Sequence, residues 1–269
     1  MPTVHASYYT DPACPFSWAA EPAVRRLMVE FGDSISWRYI MAGMREIGPP
    51  LDVVSHWLDA AGRSGMPVDP RLWLDGPSTS YPACLAVKAA AEQGDPGPYL
   101  RRLREGFALR RQRQDHLDAF VEVARGIEGL DAERFRIDAA SHAIVEAFGA
   151  DLERARGDVP QDQIAEGDTR VRLPTFEFRG EDGAVHGVYG PSGADELRAA
   201  AVAAGAEPSG PWPLTISAAL KRFGSLATPE VAELCDLPGP RAPAELWRLA
   251  QEWRLAPEHS LTGPLWHAA

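Results

Sequence analysis

Cys14 is the side chain in this sequence with the sharpest chemical potential. It lies in Asp11-Pro12-Ala13-Cys14-Pro15-Phe16-Ser17-Trp18, between a strand-like segment and a helix-like one. A cysteine in the first turn of a helix faces unsatisfied backbone N–H groups and the positive end of the helix dipole. Both favour thiolate over thiol. Pro15 suits the first helical position, where no N–H is needed. The pattern predicts a nucleophilic thiol at Cys14; the alternative is a buried, inert core cysteine. Cys84 and Cys235 have bland, apolar sequence neighbours and are expected to be packed thiols. Three cysteines, odd in number and far apart, make no disulfide framework, which fits a reducing, cytoplasmic setting.

The elements that must position Cys14 read as a β-α-β opening. Residues 4–10 are rich in aromatic and β-branched types and predict a strand. From Trp18 to Phe31, Val24, Leu27, Met28 and Phe31 recur at i, i+3, i+4 and i+7, the spacing of a buried helix face. Residues 35–42 predict a second strand. Residues 48–82 read as loop, and helices are expected over 83–93, 98–113, 117–127, 131–136 and 140–156. Strands return at 175–179 and 185–189, joined by Gly180-Glu181-Asp182-Gly183 with its Asp-Gly hairpin signal. A helix over 194–204 follows, with Ser192 as its expected cap. Past a Gly/Pro-rich linker at 205–213, three helical runs (214–223, 228–235, 243–253) and a tail hairpin suggest a small winged-helix shape. The expected division is 1–205, with a helical insertion over about 48–165, and 212–269.

The Cys-Pro-x-x-aromatic turn of Cys14, Pro15 and Trp18, the helical insertion and the later Arg172-Leu173-Pro174-Thr175-Phe176 resemble the DsbA-like branch of the thioredoxin fold, FrnE-like proteins included. The resemblance covers about residues 3–205. It implies an α/β thioredoxin-like fold in which Pro174 is a cis proline beside the active-site sulfur. It also implies that Leu173 pairs its backbone with a substrate strand, and that Pro15, Phe16 and Trp18 shape the cleft. One departure stands out: the second cysteine of the family's Cys-x-x-Cys is Ser17 here. Ser17 can hydrogen-bond a thiolate but cannot close a bridge, so Cys14 cannot cycle as a local dithiol. Phe16 replaces the histidine of DsbA, which disfavours a strongly oxidising enzyme.

The main expectation is therefore a monothiol thiol-disulfide oxidoreductase or isomerase, with Cys14 and Ser17 catalytic. It would act on a disulfide- or thiol-containing protein or small molecule. It would hold no tightly bound cofactor, and glutathione or another low-molecular-weight thiol would be the co-substrate. Two dithiol-free relatives give alternatives. Kappa-class glutathione transferases and chromene-carboxylate isomerases carry Ser-Pro-Tyr-Ser in the same turn, which implies a small-thiol transferase or isomerase. DsbA-like adaptors that deliver a transcription regulator to ClpXP resemble the chain at Tyr81-Pro82-Ala83-Cys84-Leu85-Ala86-Val87-Lys88-Ala89-Ala90 and at Tyr99-Leu100-Arg101-Arg102-Leu103-Arg104-Glu105, and also carry a C-terminal extension. That resemblance implies a non-catalytic protein-binding adaptor whose partner uses the groove and the insertion.

Composition narrows the field further. With 269 residues, 45% hydrophobic and 24% charged, the chain can bury a core without disulfides or metal. Its net charge of −11 argues against nucleic acid or an anionic membrane as partner. No apolar stretch approaches a membrane span, and no secretory signal opens the sequence. Residues 212–269 hold five basic and six acidic side chains, no footprint for phosphate binding. The histidines show no metal-ligand spacing, so no metal is expected. Arg101, Arg102, Arg104, Arg110, Arg111 and Arg113 stand out and are expected to form a solvated helix face, partly paired with Glu105 and Asp115.

Overall fold

The computed structural model describes residues 2–157, 160–164 and 170–269. Four strands make the central sheet, in the order β2-β1-β3-β4: β1 (Val4–Thr10), β2 (Ile35–Met41), β3 (Thr175–Arg179) and β4 (Val185–Tyr189). β1 runs parallel to β2, which requires a crossover, and antiparallel to β3. β3 and β4 form the hairpin expected from Asp182-Gly183, with Gly183 at φ +79°. Successive strand residues face opposite sides. Val4, Ala6 and Tyr8 therefore join Phe176, Phe178 and the helices on one face, and Tyr8 stacks on Phe176 at 4.4 Å. Tyr9 and Ile40 project to the other face and pack with Cys14 and Leu173.

The helix predicted after β1 is two helices, α1 (Pro15–Ala19) and α2 (Glu21–Glu30). Pro22 has no N–H to continue the ladder from Trp18, so the helix breaks at Ala20. The segment expected as loop contains α3 (Pro50–Ser64) and a 3-10 turn over Pro70–Leu74. The Pro49-Pro50 pair disguised it; Pro50 occupies the first turn, where proline is tolerated, and Val53, Trp57, Ala60 and Ala61 form the buried stripe. α4 (Tyr81–Ala91), α5 (Gly97–Ala108), α6 (Leu117–Arg125), α7 (Ala132–Ala139) and α8 (His142–Gly157) complete the insertion. α5 ends five residues earlier than expected, before Arg111 takes φ +52°. α7 starts where Asp131 caps it, accepting from the N–H groups of Glu133 and Arg134 at 2.9 and 3.1 Å.

After α9 (Ala194–Ala203) comes a C-terminal unit of α10 (Ile216–Phe223), β5 (Ser225–Ala227), α11 (Thr228–Leu234), α12 (Arg241–Gln251), β6 (Leu255–His259) and β7 (Pro264–Ala268). Its strands pair in the order β5-β7-β6, all antiparallel. The element order is that of a winged helix; β5, only three residues long, leaves no alternation to read. No helix among the described residues is long and apolar enough to cross a membrane.

The arginines overturn one expectation. Arg101 and Arg104 are buried rather than solvated. Arg101 makes a two-pronged bond to Glu230 of α11 at 3.0 and 2.9 Å and reaches Glu105 at 3.0 Å. Arg104 bonds Glu21 and Thr10. Arg25 pairs with Glu230 at 3.1 Å and with Glu21 at 3.3 Å, and Glu105 accepts from the Ser225 hydroxyl at 2.6 Å. Three arginines and three glutamates thus form a balanced buried network shared by α2, α5 and the C-terminal unit. Burial favours the neutral form of Glu105, but Arg101 and Arg110 outweigh it and hold its carboxyl at about 2.

Candidate functional site

β1 ends at Thr10, and the next four residues turn the chain into α1. Asp11 fixes that turn. Its carboxylate, fully buried, accepts from the Ala13 N–H at 2.8 Å, the Met44 N–H at 3.1 Å and the Ser80 hydroxyl at 2.5 Å, and the Cys84 thiol lies 3.5 Å away. Sequence reading missed this hub. The only local signal was an Asp-Pro-Ala turn; the other partners come from the insertion. Cys84 is buried as expected, and its thiol is pushed well up by burial and by the Asp11 charge.

Cys14 occupies the N-cap of α1 with extended backbone (φ −81°, ψ 119°), and Pro15 follows at the first helical position. Its placement matches expectation, but its chemistry does not. The side chain is only 5% exposed and packs in an apolar cluster with Tyr9, Ile40, Ala42, Val171 and Leu173. Burial pushes its thiol pKa up; the neighbouring Ser17 pulls the other way without reversing the direction. A five-residue helix aligns few peptide dipoles, so desolvation prevails. Cys235, the remaining thiol, is half-buried and pushed up to about 11.

The Leu173–Pro174 peptide bond is cis, and Leu173 shares the apolar cluster of Cys14. Gly190 donates its N–H to the Pro174 carbonyl at 2.8 Å, and the Thr175 hydroxyl bonds the Arg172 carbonyl at 2.7 Å. These bonds tie the approach to β3 in place. Phe16, packed against the Cys14 cluster, and Pro15 are partly exposed, whereas Leu173 and Pro174 are buried. Ser17 is buried. Trp18, expected to shape the cleft, is fully buried in the insertion core instead. Its indole N–H donates to the Pro67 carbonyl at 3.0 Å, and the Arg101 guanidinium covers its ring at 4.3 Å. The structure thus packs Cys14, Phe16 and Leu173 in one apolar cluster, with Pro15 and Pro174 next to them in the chain, and turns Trp18 away from it. Among the described residues no group of three or more His, Cys, Asp or Glu is placed to hold a metal ion.

Comparison with known proteins gives two kinds of likeness. The chain is 29% identical to the ClpXP adapter protein SpxH of Halalkalibacterium halodurans over 271 residues, spanning 92% of this chain and 83% of the relative. It is 28% identical to the ClpXP adapter protein SpxH of Bacillus subtilis, spanning 96% and 87%. Among solved structures, a Nitrosomonas europaea protein named as a protein disulfide isomerase superposes with a TM-score of 0.64 at 17% identity, over 75% of this chain and 97% of that one. The cytosolic disulfide reductase DsbM of Pseudomonas aeruginosa gives 0.54 at 21% identity, over 68% and 88%. At such identities these structures speak to the fold alone. The family model described as thioredoxin matches residues 8–158, more than half of the chain, which therefore belongs to the DsbA-like thioredoxin family.

Proposed function

We propose that this chain is a non-catalytic, protein-binding adaptor built on a DsbA-like thioredoxin fold, serving a ClpXP-type protease. One observation carries the reading: the thiol at the α1 turn is buried, pushed toward its neutral form, and followed by serine where a resolving cysteine would stand. A thiol in that state is a slow nucleophile, and the mixed disulfide it formed would have no local partner to release it. The partly exposed Phe16 nevertheless leaves an apolar surface beside the Cys14 cluster, where the Gly190–Pro174 and Thr175–Arg172 hydrogen bonds hold the approach to β3, an arrangement suited to an extended partner segment. The likeness to proteins named ClpXP adapters runs through the C-terminal unit as well as the thioredoxin part and supports the same reading. A cytoplasmic location follows from that role.

The test is reconstitution. Purified ClpXP from the same host degrades its transcription-regulator substrate with and without this chain. Wild type and Cys14→Ala are expected to accelerate degradation alike, and neither is expected to turn over hydroxyethyl disulfide with glutathione. Cys14-dependent turnover, or acceleration abolished by Cys14→Ala, would restore the monothiol oxidoreductase.

A further inference from the structure

A cavity lies away from Cys14, where β1, β2, α2, α5 and the C-terminal unit meet. Its volume is about 710 Å3, a size typical of small-molecule sites. Val24 and Met28 of α2, Leu100 of α5, Ile127 and Phe223 give it an apolar lining.

One buried donor of the wall, Arg104 Nε, lacks an acceptor among the described residues, whereas Arg25 already bonds Glu230, Glu21 and the Ser225 carbonyl. Arg104 is 1% exposed; its terminal nitrogens bond Glu21, Tyr8 and Thr10, while its Nε has no hydrogen-bond partner among the described residues. A buried donor left unpaired is costly, and an acceptor supplied from outside relieves it. Tyr39 presents its hydroxyl beside Gly97, where a Cβ would stand 2.8 Å from the oxygen; burial raises its pKa and keeps it a donor. Arg222 bonds only the Met28 carbonyl, at 3.2 Å, and forms no ion pair among the described residues. Its guanidinium lies 5.4 Å from the Phe223 ring centre, and that of Arg25 lies 4.6 Å from the same centre. Two cations therefore flank one aromatic ring at the cavity wall. Arg25 is the arginine of the buried network whose pKa falls, through burial and repulsion from Arg101, despite Glu230 and Glu21. Four carboxylates also line the cavity: Asp95 and Glu128, on the loops before α5 and after α6, and Glu21 and Glu105, which Arg25, Arg101 and Arg104 hold in the buried network; Arg222 comes from α10.

We propose that this cavity is a binding site for a small amphipathic anion, a medium-length hydrocarbon body ending in a carboxylate. The head sits at Arg222 and Arg25 and the body lies against Met28, Leu100 and Ile127. Guanidinium pairs recognise carboxylates through charge-assisted hydrogen bonds, and the apolar wall provides the remaining affinity. The site shares no residue with the Cys14 cluster. It joins all three parts of the fold, so a bound ligand stabilises their assembly by mass action.

Sodium octanoate is the probe, titrated calorimetrically into the full-length protein, with octylamine and 1-octanol as cationic and neutral controls. Octanoate is expected to bind one saturable site and raise the melting temperature. Arg222→Gln, an exposed substitution outside the buried network, is expected to weaken binding about tenfold, the loss of one charged hydrogen bond. Ile127→Trp, which fills the cavity from a partly exposed position, is expected to abolish it. Circular dichroism checks that both variants fold. Absence of saturable octanoate binding, equal binding of octylamine, or wild-type affinity in both variants overturns the site.

Discussion

At Cys14 a helix terminus and an apolar cluster act on one sulfur atom in opposite directions. The terminus of α1 favours a thiolate, while Tyr9, Ile40, Ala42 and Leu173 strip the site of water. Burial prevails, and the pKa rises. Cys14 alkylation by iodoacetamide, mapped by mass spectrometry, is therefore expected to be slow at neutral pH and to climb only above the free-thiol value of ~8.5. A plateau reached below pH 7 would refute this. The same direction has a stability consequence. A thiol whose folded pKa is raised holds its proton more firmly in the native state. Its contribution is complete below the unfolded pKa of ~8.5 and declines as pH rises through the folded value. For Cys235, pushed to about 11, the melting temperature is expected to fall between these limits, and Cys235→Ala to flatten part of that fall. Cys14 and Pro174 were legible in the sequence because their motifs are local. Asp11 was not, since Met44 and Cys84 lie 33 and 73 residues away along the chain. Trp18 was misread because sequence shows that an aromatic follows the turn but not which way its ring points.

Among the elements, α5 is the keystone. Glu21 and Arg25 meet it from α2 and Glu230 from α11, and all these charges are buried. Removing one member leaves the buried charges unbalanced and under-paired, which costs about 3–5 kcal/mol, whereas replacing a pair by apolar groups is far milder. Glu230→Gln is expected to destabilise by that amount in urea unfolding, and Arg101→Met combined with Glu230→Leu by clearly less. Equal losses would show that the pair contributes through packing alone. Glu105 gives the pH signature of the network: its folded pKa of about 2 lies below the unfolded carboxylate value. Its stabilisation is present above ~4.5 and is lost as pH falls toward 2. The arginine run was visible in the sequence, but its burial depends on carboxylates from distant elements. The 3.6-residue period alone cannot tell a solvated face from a buried charged one. α3 was hidden for a different reason: a proline pair that marks a loop also suits a helix start.

Across the whole molecule, the division at residue 205 is a boundary of topology more than of mechanics. Val29 of α2 belongs to the hydrophobic core of the C-terminal unit, and the Arg25 and Arg26 guanidiniums each lie 4.6 Å from a ring centre of that part, Phe223 and Trp212. The intact protein is therefore expected to unfold in a single calorimetric transition, with van't Hoff and calorimetric enthalpies in agreement. Two resolved transitions would mean the parts are thermally independent. The thioredoxin plan was legible because a parallel β-α-β opening and a β-β-α close are set by local patterns. The docking of the last sixty residues was not, because a Gly/Pro-rich connection carries no record of what lies across it.

Arg101 and Glu230 are separated by 129 residues of chain. During synthesis Arg101 leaves the ribosome long before its carboxylate partner, with Trp18 already waiting beneath its guanidinium. The layer behind the Cys14 turn stays incomplete until Glu230 has been made, and contacts of such long sequence separation form slowly. A chain that stops short of Glu230 would therefore carry the Cys14 turn on an unfinished support, its Arg101 guanidinium stacked over Trp18 but lacking the carboxylate that pins it.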